Sequence, residues 1–371
     1  MEPVLAIGLM SGTSLDGIDA ALLRTDGEAA VKPLAFVTRP YSPEERAILQ
    51  AAAEQALTMA MPAWHPAIRA AELLLDQSHA AIVGALLAEA GVAAGDVAVI
   101  GCHGQTIAHR PDRGWTWQIG EGAALAEATG IAVVDRLRVA DVAAGGQGAP
   151  LLPVYHRALC AALPKPVAML NLGGVGNLTW IGEGDALIAF DTGPANGLVN
   201  SWVEAHGGAA FDAEGALAAS GQVHISVLDA MLDNPWFDLP PPKSLDRHDF
   251  TIQPAIGLSP ADGAATLTRF TAETVALGLR LLPAPPRRLI AVGGGRHNPT
   301  LMRMIGAACG LPPEPIEALG SNGDATEAEG FAYMAVRSLR GLPISFPGTT
   351  GAPRSLAGGT LHRPPASVRV A

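Results

Sequence analysis

The first forty residues leave few folds open, because they contain apolar runs joined by a turn rich in glycine. Runs at 4–9 and 18–23 flank a turn of glycines, hydroxyl residues and carboxylates, and a third run follows at 31–37. Apolar runs with short glycine-containing links predict an antiparallel meander. Gly12 and Gly17 would let the backbone turn tightly and approach a ligand closely.

The same turn carries groups that bind a phosphate. Ser11, Thr13 and Ser14 offer hydroxyl and amide donors, and Asp16 or Asp19 can hold a hydrated Mg²⁺. The turn is not a Walker loop, because it lacks the G-x-x-x-x-G-K-[ST] pattern and no helix is predicted directly after it. A strand-turn-strand phosphate loop is typical of nucleotide sites of the actin, hexokinase and Hsp70 kind. An ordinary Gly-Ser hairpin turn stays the alternative.

Composition excludes several classes of protein. The net charge of -11 and the absence of a Lys/Arg-rich stripe argue against nucleic acid and against anionic membranes as partners. No apolar run approaches the roughly 18 residues that span a bilayer. Cys102, Cys160 and Cys309 are far apart, so neither a disulfide framework nor a zinc site is indicated. The N-terminus lacks a basic n-region, and we expect a cytoplasmic protein.

The second half of the chain repeats the layout of the first. Apolar runs at 167–172, 177–181 and 186–190 follow one another with a glycine turn at 173–176, and a helix is predicted from 196. One meander with helices therefore occurs twice, and a site is expected between the copies. The predicted lobes are 1–150 and 151–371. An alternative is that the C-terminal segment packs back on the first lobe. Further elements are predicted as helices from 43, from 66 until Gly91 stops it, and at 121–128, as strands at 97–100, 115–119 and 131–134, and as a long loop at 233–250.

Two glycine turns carry candidate functional residues. Asp191 is predicted to end an apolar strand, where burial would raise its pKa as a general base requires. The alternative is that its side chain only caps the turn. Gly293, Gly294 and Gly295 join a strand to a helix and would let the backbone pack against a base and ribose. This is not a Rossmann fingerprint, because Asn298 stands where its third glycine would be, and an ordinary turn is the alternative.

Two further residues have open roles. His103 follows the strand predicted at 97–100 and could be a base or a ligand, although a single His at a strand end is more often structural. Glu327 lies three residues after Asp324 at a predicted helix start, which is the position of a capping box. Because helix N-termini also bind ligands, Glu327 is retained as a candidate functional residue.

Together these motifs resemble the anhydro-N-acetylmuramic acid kinases, bacterial sugar kinases of the ASKHA superfamily. The matching blocks occur in order over almost the whole chain. They are 8–19, 102–107, 140–153, 171–179, 190–196, 293–299 and 323–353.

The resemblance implies an α/β fold of two lobes, a duplicated RNase H-like architecture with ATP and Mg²⁺ in the cleft. The expected reaction opens the anhydro ring of 1,6-anhydro-N-acetylmuramate with water and phosphorylates O6, giving N-acetylmuramate 6-phosphate. Asp191 matches the family's catalytic base, Glu327 matches an acid near the same water, and Asp16 and Asp19 are the candidate metal ligands. Residues implied to contact ATP are Gly12, Thr13, Ser14, Leu15, Asp16, Gly17, Ile18, Asp19, Gly173, Gly174, Asn177, Gly293, Gly294, Gly295 and Asn298. Residues implied to contact the sugar are His103, Gln105, Arg138 and Asn196.

The chain departs from the family pattern at two places that concern the sugar. Asp135-Arg136-Leu137-Arg138 stands where Gly-Asp-Phe-Arg is usual, and Leu245-Asp246 replaces Thr-Gly. A kinase for a plain anhydrosugar such as levoglucosan therefore stays an alternative. A nucleotide-dependent sensor or ATPase without phosphoryl transfer is a second alternative, against which the retained Asp191 and phosphate loop count. The sequence leaves a homodimer open.

Overall fold

The computed structural model describes residues 1–207, 210–245 and 249–365. The chain folds as two compact units, one formed by residues 1–161 with 325–371 and the other by residues 162–324. The division thus lies at 161/162, where the sequence suggested 150/151, and the segment from Ala325 onwards belongs to the first unit. Each unit contains one mixed sheet with helices, which confirms the predicted α/β class.

The strands are β1 (Val4–Ser11), β2 (Gly17–Thr25), β3 (Val31–Pro40), β4 (Val97–Arg110), β5 (Trp115–Ile119), β6 (Val133–Asp135), β7 (Val167–Leu172), β8 (Val175–Ile181), β9 (Leu187–Pro194), β10 (Arg288–Val292), β11 (Pro313–Pro315) and β12 (Thr360–His362). The helices are α1 (Pro43–Leu57), α2 (Pro66–Ala90), α3 (Gly122–Thr129), α4 (Val139–Ala143), α5 (Pro153–Leu159), α6 (Asn196–Ala205), α7 (Ala216–Ser220), α8 (Ile225–Leu232), α9 (Pro260–Arg280), α10 (Pro299–Cys309), α11 (Thr326–Leu339) and α12 (Pro347–Thr350).

The two sheets share one topology. In the first unit, β1, β2 and β3 form an antiparallel meander, β4 lies parallel to β1, and β6 lies parallel to β4. In the second unit, β7, β8 and β9 form the meander, β10 lies parallel to β7, and β11 lies parallel to β10. The first sheet adds β5 on β4 and β12 on β6. The predicted duplication is therefore confirmed strand by strand.

Local sequence signals account for the helix ends of the first unit. Ser42 caps α1 through a complete capping box with Glu45, as the Ser-Pro-Glu-Glu pattern predicts. Helix α2 ends at Gly91, which adopts the left-handed conformation (φ 63°) that favours glycine. By length and composition alone α2 could cross a membrane, contrary to expectation. Its Ile68 and Leu75 lie in the core of the first unit, which accounts for its apolar character.

Helix α11 lies unusually close to the first sheet. A Cβ atom on Gly8 would stand 1.8 Å from the carbonyl oxygen of Ala328, and one on Gly101 would stand 2.1 Å from that of Phe331. Side chains at these two strand positions would therefore displace the helix. The contact fixes the start of α11, and with it Glu327, against β1.

Candidate active site

The β1–β2 turn presents polar groups to solvent. The amide of Leu15 donates to the carbonyl oxygen of Gly12 at 3.1 Å, and Leu15 has a left-handed backbone (φ 55°). The turn exposes Thr13 and Ser14, which lie between Gly12 and Leu15, and also Asp16. Hydroxyls and backbone amides arranged on such a turn can surround a phosphate.

Two residues of this segment have structural tasks. A Cβ on Gly17 would lie 2.5 Å from the carbonyl oxygen of Arg39, so glycine is required there by the neighbouring strand. The Ile18 side chain is fully buried in the core of the first unit, which leaves only its backbone for a ligand.

The base of the hairpin is tied to β4 by side chains. Ser11 Oγ donates to Gln105 Oε1 at 2.5 Å and lies 2.7 Å from the hydroxyl of Tyr41. Gln105 is 2% exposed and its side chain anchors the β1–β2 turn; its contact with the sugar stays a prediction. Burial raises the pKa of Tyr41 to about 12, which keeps it a neutral hydrogen-bonding group.

Glu327 stands in the first turn of α11 and does not cap it. The N-cap is Ala325, without a side-chain bond, so the capping-box alternative is wrong. Asp324 accepts from Arg296 Nη2 at 2.9 Å. Burial raises the pKa of Glu327, the charge of Arg138 opposes this, and Asp19 and Asp16 raise it further. The Glu327 carboxyl group is thus a partly buried acid beside other charges, with no hydrogen bond to any residue that the structure describes.

Arg138 and His103 form a pair beside this acid. Strand β4 continues to Arg110, so His103 lies inside this strand. The prediction that His103 follows the end of the strand is wrong. The sequence did not show the full length of β4, because Gly104 (φ 70°) and a register shift interrupt the apolar pattern of the strand while its pairing with β1 continues. Arg138 donates to His103 Nε2 from Nε and Nη2, at 3.1 and 3.0 Å.

Asp191 lies within β9, because that strand continues to Pro194; the prediction that Asp191 ends a strand is wrong. Its Oδ1 accepts from Asn177 Nδ2 at 2.9 Å and its Oδ2 from the amide of Leu245 at 2.8 Å. Burial raises the pKa of Asp191, and these two bonds partly offset the effect. Both oxygens are held by another strand and a loop, so the side chain is oriented by tertiary contacts and not by a turn of its own.

The loop that holds Asp191 is anchored by Lys243. The carbonyl oxygen of Lys243 accepts from the amide of Asp191 at 2.9 Å, and its ammonium donates to the carbonyl oxygens of Trp236 and Phe237 at 3.0 and 2.7 Å. The ammonium also lies 4.3 Å from the centre of the Trp236 ring. These contacts fix the part of the predicted long loop between Trp236 and Leu245 next to Asp191. Asp246 and Arg247 lie outside the described residues.

Three glycine segments of the second unit converge. The carbonyl oxygens of Gly173 and Gly174, in the β7–β8 turn, accept from the amides of Asn196 and Gly197 at 2.9 and 3.1 Å. Asn196 is the first residue of α6, and its Nδ2 donates to Leu172. A Cβ on Gly295 would lie 2.9 Å from that same nitrogen. The predicted residues Gly173, Gly174, Gly295 and Asn196 are therefore neighbours.

The glycines of this cluster differ in what requires them. Gly293 has a positive φ of 76° and would meet Asn171, and Gly295 would meet Leu172 at 2.6 Å. By contrast, a Cβ on Gly174 or Gly294 would find nothing within 4 Å, and neither has a left-handed backbone. Packing within the described chain therefore does not require glycine at either position. The open space leaves room for a ligand against the backbone of both residues. Asn298 is the N-cap of α10 and accepts from the amide of Leu301.

A cavity of about 250 Å³ opens beside the same cluster. Its lining residues include Gly174, Gly197, Ser201, Leu245 and Phe250. Leu245 also binds Asp191, so the cavity lies next to the residue that orients the candidate base.

Comparisons with known proteins identify the family. The family model described as anhydro-N-acetylmuramic acid kinase matches residues 4–364. The chain belongs to this family. The anhydro-N-acetylmuramic acid kinase of Rhizorhabdus wittichii is 68% identical over 98% of this chain and 100% of its own length, and that of Zymomonas mobilis is 54% identical over 97% and 100%. Among solved structures, a ROK family glucokinase from Streptomyces griseus aligns with a TM-score of 0.41 and 15% identity, covering 89% of this chain and 99% of its own.

Family membership confirms the resemblance and the class of enzyme, an anhydro-N-acetylmuramic acid kinase. One departure from the family pattern is explained by the structure. Asp135 accepts from the amide of Gly122 at 3.1 Å and from His362 Nε2 at 3.0 Å, so it ties α3 and β12 to β6. Arg136 is exposed and left-handed (φ 52°).

Several residues that shape the site were missed from the sequence. The amide of Leu245 and the carbonyl oxygens of Lys243 and Gly148 act through the backbone, which every residue type shares, so no signal could have found them. Tyr155 donates to Glu329 at 2.6 Å and fixes α5 to α11, but the two residues are 174 positions apart. Only a covarying pair in related sequences would have indicated that contact.

Proposed function

We propose that this chain phosphorylates O6 of 1,6-anhydro-N-acetylmuramate with ATP while water opens the anhydro bond. The products are N-acetylmuramate 6-phosphate and ADP, as in the recycling of peptidoglycan sugars. The observation that carries the proposal is the Asp191 carboxylate, held by Asn177 and Leu245 with a raised pKa in a chain of this kinase family. ATP is a cytoplasmic phosphoryl donor, so we place the reaction in the cytoplasm.

In the proposed reaction Asp191 takes a proton from the attacking water. The water oxygen bonds to C1 of the sugar, and the C1–O6 bond breaks with its electron pair on O6. O6 then attacks the γ-phosphorus of ATP, and ADP leaves. A carboxylate with a raised pKa suits this step, because the raised pKa makes it a stronger proton acceptor than an ordinary aspartate. We also assign Glu327 to the reaction, as the resemblance implies, with Arg138 as its electrostatic partner.

Phosphoryl transfer rests on positioning and on neutralisation of charge. We assign the phosphates to the β1–β2 turn, through the exposed Thr13 and Ser14, and the nucleotide to the backbone at Gly174 and Gly294. A Mg²⁺ ion bound at such a site would neutralise the phosphate oxygens.

The carboxylate set fits Mg²⁺. The described residues contain no group of three or more His, Cys, Asp or Glu side chains that could hold a metal ion. Mg²⁺ in nucleotide enzymes needs only one or two carboxylates, with water and phosphate oxygens as the other ligands. Asp16 and Asp19, which both act electrostatically on Glu327, can supply them.

The decisive experiment gives the protein Mg-ATP and 1,6-anhydro-N-acetylmuramate in ¹⁸O-water and analyses the products by mass spectrometry. One ¹⁸O is expected at C1 and none in the transferred phosphate. Asp191→Asn is expected to lower turnover by about 10²–10⁴-fold, the usual contribution of a general base. Its nucleotide affinity is expected to stay unchanged, because the phosphates are assigned to another segment.

Asp229→Asn, a matched change on the exposed side of α8, serves as the control. Levoglucosan in place of the amino sugar tests the alternative substrate. Faster turnover of levoglucosan, ATP hydrolysis without a phosphorylated sugar, or a folded Asp191→Asn variant at the wild-type rate would each contradict the proposal.

A further inference from the structure

The contacts of His103 fix which of its nitrogens carries the proton. Nδ1 lies 2.8 Å from the carbonyl oxygen of Gly104. A carbonyl oxygen only accepts, so Nδ1 carries the hydrogen and the neutral ring keeps its lone pair on Nε2. Burial and the charge of Arg138 lower the pKa of His103 to about 3, so the ring is neutral at physiological pH. Both nitrogens are thereby engaged, and neither can take a proton from a substrate.

Arg138 is the group that this lone pair holds. Its Nε and Nη2 share His103 Nε2, and its Nη1 donates to the carbonyl oxygen of Gly148 at 2.8 Å. Two N–H groups of the five in a guanidinium then have no partner among the described residues. Arg138 and Glu327 each rank among the other's electrostatic partners.

Asp141 supports the same arrangement from the other side. Its Oδ2 accepts from the amide of Gly148, and its Oδ1 accepts from Thr350 Oγ1, both at 2.6 Å. The segment that offers the Gly148 carbonyl to Arg138 is therefore fixed, and Asp141 stabilises the guanidinium through this segment. His103 itself is 5% exposed, with its ring 4.7 Å from that of Phe331 in α11.

We propose that His103 is a positioning residue for the kinase reaction: its Nε2 lone pair holds the Arg138 guanidinium where its charge faces the Glu327 carboxylate. The sequence suggested a base or a sugar contact, and the geometry points to neither. Two donors of Arg138 remain for Glu327 or for an oxygen of the sugar. The inference rests on the proposed function only in that Glu327 takes part in the reaction.

Two substitutions separate the two hydrogen bonds of His103. His103→Asn keeps a donor near Nδ1, which can reach Gly104, and removes the acceptor for Arg138. His103→Gln keeps an acceptor near Nε2 and removes the donor to Gly104. We expect kcat of His103→Asn to fall by about 10- to 100-fold, as misplaced groups cause, with KM for ATP unchanged. His103→Gln is expected to recover at least about tenfold of that loss. If His103 only stabilises strand β4 through its bond to Gly104, the order of the two variants is reversed, and the proposal is overturned.

A double substitution tests whether His103 acts through Arg138. Arg138→Lys keeps the charge and loses the shared contact with Nε2. His103→Asn is then expected to lower kcat of the Arg138→Lys variant by less than about threefold, because interacting residues are non-additive. Losses that multiply in full would show that His103 acts independently of Arg138.

A measurement without turnover separates this inference from the proposed function. ¹⁵N NMR of the imidazole groups, with His103→Gln used to assign the signal, is expected to show a neutral ring protonated at Nδ1 between pH 5 and 8. A protonated ring, or the other tautomer, would overturn the inference even in an active enzyme. An Nδ1–H ring in a protein that phosphorylates no anhydrosugar would instead contradict the proposed reaction.

Discussion

The glycines around the candidate active site are of two kinds: some are required by their neighbours in the fold, and others have open space beside them. Glycine is required at 293 because of its left-handed backbone and the nearby Asn171, and at 295 because of the nearby Leu172. Gly174 and Gly294 have open space where a side chain would stand. The open space at Gly174 and Gly294 leaves room for the nucleotide that we assign to these turns, so stability and binding should respond differently in the two groups.

Gly294→Ala is expected to weaken ATP binding without destabilising the fold. The added methyl group meets no protein atom and the backbone is not left-handed, so the melting temperature should match that of Gly95→Ala, which also adds a methyl group in open space. KM for ATP is expected to rise about tenfold or more, because the methyl group occupies the space assigned to the nucleotide. Titration calorimetry with a non-hydrolysable analogue measures this. Unchanged affinity would remove Gly294 from the nucleotide site.

Glu327 is expected to lower the stability of the fold at neutral pH. Burial raises its pKa, so folding favours the protonated form, and the stability it contributes below its ordinary pKa is lost as pH rises through the raised value. Without Mg²⁺ or nucleotide, Glu327→Gln should be at least as stable as the wild type at pH 7.5, with a smaller difference at pH 4. Turnover should fall. Chemical unfolding measures the difference, with the exposed Glu89→Gln as control; a less stable variant at pH 7.5 would contradict this reading.

At the scale of elements, local patterns predicted the centres of strands and helices well and their ends less well. Helix α2 and its stop at Gly91 match the prediction because proline, apolar spacing and glycine act locally. Strands β4 and β9 continue past their predicted ends, because pairing partners elsewhere in the chain keep them extended. That difference placed His103 and Asp191 in strands instead of turns.

The candidate site shows the same limit. The sequence motifs suggested Asp191, Glu327 and the glycine turns as candidates, since these residue types carry recognisable chemistry. The motifs could not show that His103 accepts from Arg138, or that a backbone amide of a distant loop donates to Asp191. Contacts of this kind depend on which elements the fold brings together, and residue identity alone does not encode them.

At the scale of the molecule, the chain leaves the first unit at Ala161 and returns to it at Ala325. The returning helix α11 supplies Phe331, Met334 and Val336 to the hydrophobic core that also contains Ala6, Val99 and residues of α5. The second unit has its own cores, formed within residues 162–324. The first unit thus depends on the C-terminal segment for its packing, and the second unit does not.

A chain truncated after Asp324 is therefore expected to lose the first unit and keep the second. Without α11 the apolar face of β1 and β4 is exposed, since Gly8 and Gly101 leave no side chains of their own to cover it. Limited proteolysis with mass spectrometry should show residues 1–161 cleaved and 162–324 protected. In the full chain, Phe331→Ala should cost about 3–5 kcal/mol, as for other buried aromatic residues, and make 1–161 more susceptible. Truncation that leaves 1–161 as protected as 162–324 would show that the first meander packs without α11.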